Sequence, residues 1–164
     1  MSLEYIALIA AILVLLVLSA FFSGSETALT GASLPRMHEL ARQGNRRAML
    51  VLALYEQRDR LIGAILLGNN LVNILSTSLA TTAFLYLFGE AGVLYATAVM
   101  TMLVLIFAEV APKTYALARS DRMALTVAPI IRVIVFLFAP VTNAIYTLID
   151  GAMRLFGVAR VDNA

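Results

Sequence analysis

From Leu3 to Phe22 the chain is almost unbroken hydrocarbon, interrupted only by Glu4 and Ser19, and then Ser23, Gly24, Ser25, Glu26 and Thr27 arrive together. Two further apolar runs follow, Leu61 to Phe88 and Ala91 to Val110, separated by the tetrapeptide "GEAG". A bilayer crossing takes about 20 apolar residues, so the pattern predicts transmembrane helices over 3–32, 61–88 and 91–112, the last two forming a hairpin. Residues 35–60, "PRMHELARQGNRRAMLVLALYEQRDR", set Leu40, Ala48, Leu50, Val51 and Leu54 among charges. That mixture predicts amphipathic helix over 35–58, broken near Gly44 and lying at a membrane surface. Met123 to Ile149 is long enough to span, but it contains Arg132 together with Pro129 and Pro140. An arginine at mid-membrane costs about 2.5–3.5 kcal/mol on insertion scales, so a kinked interfacial helix over 123–156 is expected instead.

Composition sharpens this picture. The chain has 164 residues, of which 62% are apolar and 13% charged, and a mean hydropathy of +0.92, which is membrane-protein composition. The first apolar run lacks a basic leader and a small-residue cleavage pattern, so it reads as a helix and not as a signal peptide. Absence of cysteine excludes disulfides and thiolate metal sites, and the single histidine, His38, excludes a multi-histidine zinc site within one chain. Six arginines (Arg36, Arg42, Arg46, Arg47, Arg58 and Arg60) fall between hydrophobic segments, the signature of a cytoplasmic loop and not of a nucleic-acid groove. Orientation follows: N-terminus and Gly89–Gly92 turn outside, with residues 35–60, Lys113, Arg119 and Arg122 inside. The expected fold is an all-α membrane protein, a single domain over 1–164, with three transmembrane helices and cytoplasmic-side juxtamembrane amphipathic helices. No nucleophile–base pair, HExxH or GxSxG motif is present, so an enzyme is not expected.

Three polar clusters reach similar depth under that topology. Ser23 lies about 30 Å along the first helix from Leu3, and Gly24 beside it suggests a helix break there. The second helix carries "GNNLVN", whose Asn69, Asn70 and Asn73 fall on or near one face. The third ends in "FAEVAPKTYA", placing Glu109 about 27 Å from Ala91. Pro112 lacks the N–H that would bond the Ala108 carbonyl, so a kink is expected. Hydroxyls, amide oxygens, one carboxylate and freed carbonyls form a hard-oxygen set suited to magnesium or sodium.

Plainer readings stand beside this one. Intramembrane asparagines also hydrogen-bond neighbouring helices, serines bond back to their own helix, Glu26 suits an interface, and Glu109 has Lys113 at i,i+4. An intramembrane carboxylate nevertheless points first to function.

The motifs "FFSGSETALT", "LLGNNLVN" and "FAEVAPKTYA", in this order, resemble the transmembrane domain of the CorC/CNNM family of magnesium transporters. The resemblance implies a homodimer in the cell (inner or plasma) membrane, with magnesium bound between three helices on the cytoplasmic side. It further implies magnesium export coupled to sodium, and cytoplasmic CBS and C-terminal regulatory domains that are absent from this chain. Carried over by motif, the metal site would comprise Ser23, Ser25, Asn70, Asn73 and Glu109, supported by Gly24, Asn69, Ala108, Pro112 and Lys113. The alternative is a non-transporting membrane magnesium sensor or scaffold.

Overall fold

A computed structural model describes residues 2–158, and among them every regular element is helical. Helix α1 (Leu3–Gly31) leads through α2 (Leu34–Arg42) and α3 (Arg46–Glu56) into α4 (Arg58–Phe88). A single turn of 3-10 helix, Gly89–Ala91, reverses the chain into α5 (Gly92–Leu103), followed by a π-helical segment Val104–Val110, α6 (Ala111–Ala118) and α7 (Ser120–Leu155). Three helical runs are long and apolar enough to cross a membrane: Leu3–Gly31, Arg58–Ala118 and Ser120–Leu155. The second folds back on itself at Gly89–Ala91, so it contributes two arms, α4 and α5–α6.

Glycines make the hairpin possible. Gly89 has φ +64, and a Cβ on Gly92 would fall 2.3 Å from the Phe84 carbonyl oxygen, a distance that no side chain tolerates. On the other side of α4, Gly68 receives the Phe22 ring of α1. Together with the contacts from Ser19 to Asn69 and Asn73, this packing shows α1 and α4 running antiparallel, with Gly31 and Arg58 at the same end.

The helix break expected at Ser23-Gly24 does not occur, because α1 continues through both residues. Its 29 residues exceed a hydrocarbon core of about 30 Å, an excess that a helix takes up by tilting. Gly24 serves instead for close approach: a Cβ there would lie 2.6 Å from Met123 Cε and 3.5 Å from Pro112 Cβ. Just before Pro112, where a kink is expected, the helix takes up a π-helical segment, Val104–Val110.

The surface segment divides as its glycine suggests. Gly44 takes φ +87, and Asn45 caps α3 by accepting from the N–H groups of Arg47 and Ala48 at 3.0 and 3.2 Å. Met37, Ala48, Val51 and Leu54 are buried in a core shared with Leu61 and Ile131, which joins α2 and α3 to α4 and α7.

Helix α7 passes through Pro129 and Pro140 as one continuous helix. At its start, Asp121 accepts the Ser33 N–H at 2.7 Å. Near its other end, the Tyr146 hydroxyl donates to the Asp59 carbonyl at 2.7 Å, and Tyr146 packs on Gly63. Ser33 and Asp59 both lie at the Gly31/Arg58 end, yet Asp121 and Tyr146 are separated by about 37 Å of helix at 1.5 Å per residue. An upright α7 would carry Tyr146 to the opposite end of α4, so α7 lies across the bundle. Arg132 is on its exposed side.

Candidate functional site

The site forms where α1, α4 and the π-helical segment meet. In an α-helix the N–H of residue 111 would bond the carbonyl of 107, but Ala111 donates to Ile106, one residue further back. Pro112 has no N–H to offer, either to the Ala108 carbonyl in α register or to the Phe107 carbonyl in π register. The backbone is thus relaxed immediately around Glu109. Such wide turns, when inserted into α-helices, are frequent at functional sites.

Glu109 gathers side chains from two other helices and from its own. Its Oε2 accepts the Ser23 hydroxyl at 3.1 Å and lies 3.2 Å from the Lys113 ammonium. Its Oε1 accepts from Asn69 Nδ2 at 3.3 Å. Asn69 turns its Oδ1 towards Ser19, whose hydroxyl is 2.9 Å away and also lies 2.5 Å from Asn73 Oδ1. A hydroxyl has only one proton, so Ser19 shares it between two amide oxygens. Ser19 and Ser23 are fully buried.

Of the residues singled out from sequence, the structure brings Ser23, Asn69, Asn73, Glu109 and Lys113 into one network. Gly24 and Pro112 meet behind it, and Ala108 is buried beside Glu109. It does not bring in Ser25 or Asn70. In an unbroken α1, Ser25 points about 160° away from Ser23; it is buried, and its hydroxyl has no hydrogen-bond partner among the described residues. Asn70 is exposed, one position and about 100° round the helix from Asn69. Ser19 was missed as a site residue, although its position four residues before Ser23 puts it on the same face.

Among the described residues no three His, Cys, Asp or Glu side chains cluster, so the donor set here is one carboxylate with neutral hydroxyl and amide oxygens. All are hard donors of the kind that magnesium and sodium accept. Towards the Gly89 turn the site opens into a cavity of about 380 Å³ between α4 and α5 that includes Glu109, Asn73, Thr77 and Thr101 in its lining.

Comparison with known proteins agrees with this architecture. The chain is 40% identical over 141 residues to the UPF0053 inner membrane protein YfjD of Escherichia coli, covering 86% of this chain and 33% of that protein. It is 35% identical over 147 residues to a UPF0053 protein of Haemophilus influenzae, covering 90% of this chain and 35% of the relative. A chloroplastic DUF21 domain-containing protein of Arabidopsis thaliana is 34% identical over 145 residues, covering 88% of this chain and 22% of the relative. The chain therefore spans about a third or less of the length of these relatives. Residues 10–164 match the family described as the cyclin M transmembrane N-terminal domain, and the chain is a multi-pass membrane protein belonging to this CorC/CNNM family.

Proposed function

We propose that this domain is the membrane-embedded unit of a magnesium transporter, which binds the dehydrated ion between α1, α4 and the π-helical segment. The observation that carries the reading is the convergence on Glu109: a carboxylate at membrane depth, met by a hydroxyl from α1 and an amide from α4, within a helix that has loosened its own hydrogen bonding. Magnesium gives up its waters only for near-octahedral oxygens. Ser19, Ser23, Asn69 and Asn73 could supply neutral ones once their hydroxyl and amide groups turn. A single carboxylate leaves net positive charge on the bound ion, which favours its release.

On this reading the ion is exported, sodium flowing inward drives the cycle, and two copies form a homodimer. The Gly31/Arg58 end faces the cytoplasm, the N-terminus lies outside the cell or inner membrane, and α7 rests in the inner interface with Arg132 reaching headgroups. The test is calorimetric titration of purified protein with magnesium, beside magnesium flux in liposomes. Glu109→Gln keeps size and one oxygen but removes the charge, so binding and flux should both collapse while thermal stability changes little. Wild-type binding and flux in that variant would reject the reading.

One observation favours a non-transporting sensor or scaffold. Ser23, Asn69 and Lys113 already satisfy both carboxylate oxygens, which is what helix packing alone requires. Magnesium flux by purified wild-type protein separates the two.

A further inference from the structure

Beyond Glu109, the α4–α5 hairpin carries hydroxyls in facing rows. Asn73, Thr77 and Thr81 follow one another at i,i+4 on α4, and Thr97 and Thr101 do the same on α5. The Asn69–Glu109 contact, continued through an antiparallel pair, sets Thr77 opposite Thr101 and Thr81 opposite Thr97. The cavity between the two helices agrees with that register at Thr77, Thr97 and Thr101. That cavity, of about 380 Å³, is lined by Asn73, Thr77, Thr97, Thr101 and Glu109 together with Met100, Val104 and Leu105, and a second, of about 510 Å³, runs along α4, where Ile74, Ser78 and Thr81 join Asn73 and Thr77.

We propose that this hydroxyl-lined groove is the second half of the cation path, joining Glu109 to the membrane face that carries the Gly89–Ala91 turn. Its chemistry has a sign. Thr81, Thr97 and Thr101 each donate their hydroxyl proton to the carbonyl four residues back, at 2.8, 2.8 and 2.6 Å. What these hydroxyls can still offer the groove is oxygen lone pairs, an acceptor surface that solvates a partly hydrated cation and offers nothing to an anion. Glu109 to Thr97 is about 18 Å at helical rise, a large part of the distance left from the site to the turn. Isolated back-bonded threonines are common in membrane helices and need no ligand. Asn73 and Thr77 facing Thr97 and Thr101 in the same cavity as the carboxylate are not required for that.

The inference rests on the transport reading, and its test keeps the two separable. In the 164-residue chain reconstituted in liposomes, Thr81→Val and Thr97→Val remove an oxygen at nearly constant volume. Magnesium affinity should stay within twofold of wild type while flux falls at least fivefold. Because the chain lacks cysteine, Thr81→Cys and Thr97→Cys can be probed with a membrane-impermeant thiol reagent added on the side that carries Glu90. Both should be modified, the modification should block flux, and the lipid-facing control Leu94→Cys should react far more slowly. Wild-type flux in both valine variants overturns the proposal, as do unreactive cysteines, or cysteines that link two copies into a disulfide dimer covering the groove. If Glu109→Gln alone abolishes binding and flux while the threonine variants transport normally, the groove inference falls and the site reading survives. Wild-type behaviour of Glu109→Gln removes the site reading itself.

Discussion

The Lys113 ammonium lies 3.2 Å from Glu109 Oε2, the same oxygen that accepts the Ser23 hydroxyl at 3.1 Å. One turn of helix thus carries both a carboxylate and a cation that competes for it. On the proposed reading, a magnesium ion approaching Oε2 would have to displace Lys113, and Asn69 would have to rotate its amide before its oxygen could face the metal.

Neutralising Lys113 should therefore tighten magnesium binding. Both partners are partly exposed, with side-chain exposures of 45% and 27%, so the pair is worth at most about 1 kcal/mol. Lys113→Met is expected to lower the magnesium Kd by about two- to fivefold on that scale, and Lys113→Arg to leave it near wild type. Calorimetry decides, and a weaker Kd in Lys113→Met would show that the lysine positions the carboxylate for the metal instead of opposing it.

The amide network yields a ranking among neighbours. Asn69 bridges Ser19 and Glu109, whereas Asn70 is exposed. Asn69→Ala and Asn73→Ala should each weaken magnesium binding tenfold or more, a loss of about 1.4 kcal/mol or more. Asn70→Ala should change it less than twofold. Ser19→Ala removes the proton that orders both amides, costing about 1–3 kcal/mol of stability as buried acceptors lose their donor and weakening binding in parallel. Equal effects of Asn69→Ala and Asn70→Ala would show that the bound state rotates α4 away from the arrangement described.

Helix packing makes a separate, metal-independent prediction. A Cβ on Gly68 would meet three atoms of the Phe22 ring at 2.6–3.1 Å, and an aromatic ring cannot shorten to make room. Gly68→Ala should destabilise the domain by about 1–3 kcal/mol through overpacking, and Phe22→Leu in the same chain should recover part of the loss. At Gly24 the nearest obstacle is the flexible end of Met123, so Gly24→Ala should cost less. Thermal unfolding in detergent across the three variants and the wild type checks the order.

The apolar runs, the hairpin and the broken surface segment were all legible in the sequence, because each depends on local periodicity and on Gly44, Gly89 and Gly92. The side-chain network was legible only in part. Its members Ser23, Asn73 and Glu109 stand out as polar residues in hydrocarbon, but choosing Asn69 over Asn70 depends on one residue's rotation, about 100°. Asparagine repeats hide that choice. Ser19 escaped because a lone small hydroxyl in an apolar run is easily accommodated by its own helix. Pro112 predicts lost hydrogen bonds, but not that the turn before it adopts π register, which shows only in the Ala111 N–H donating to the Ile106 carbonyl. Gly24 itself reads as a helix breaker until the neighbour that needs its missing side chain is known.

Helix α7 gives the last prediction. Its length and hydropathy alone would permit a fourth crossing, which would carry the C-terminus to the side opposite residues 35–60. The Tyr146–Asp59 and Asp121–Ser33 contacts hold both of its ends at the Gly31/Arg58 side, so the C-terminus should remain on the same side as the arginine-rich segment. Gln43→Cys is a suitable reporter for that segment, since Gly44 has φ +87 and resists a side chain, and Glu90→Cys reports the hairpin turn. With the arginine-rich side inside, an impermeant thiol reagent applied to intact cells should label Glu90→Cys, leave Gln43→Cys unlabelled, and leave a cysteine appended after residue 164 unlabelled. Labelling of the appended cysteine together with Glu90→Cys would mean that α7 crosses the membrane and that its two end contacts do not hold in the bilayer. Tyr146→Phe, which removes only the hydroxyl, should loosen α7 without inverting it, seen as faster hydrogen exchange in residues 142–155 than in α1.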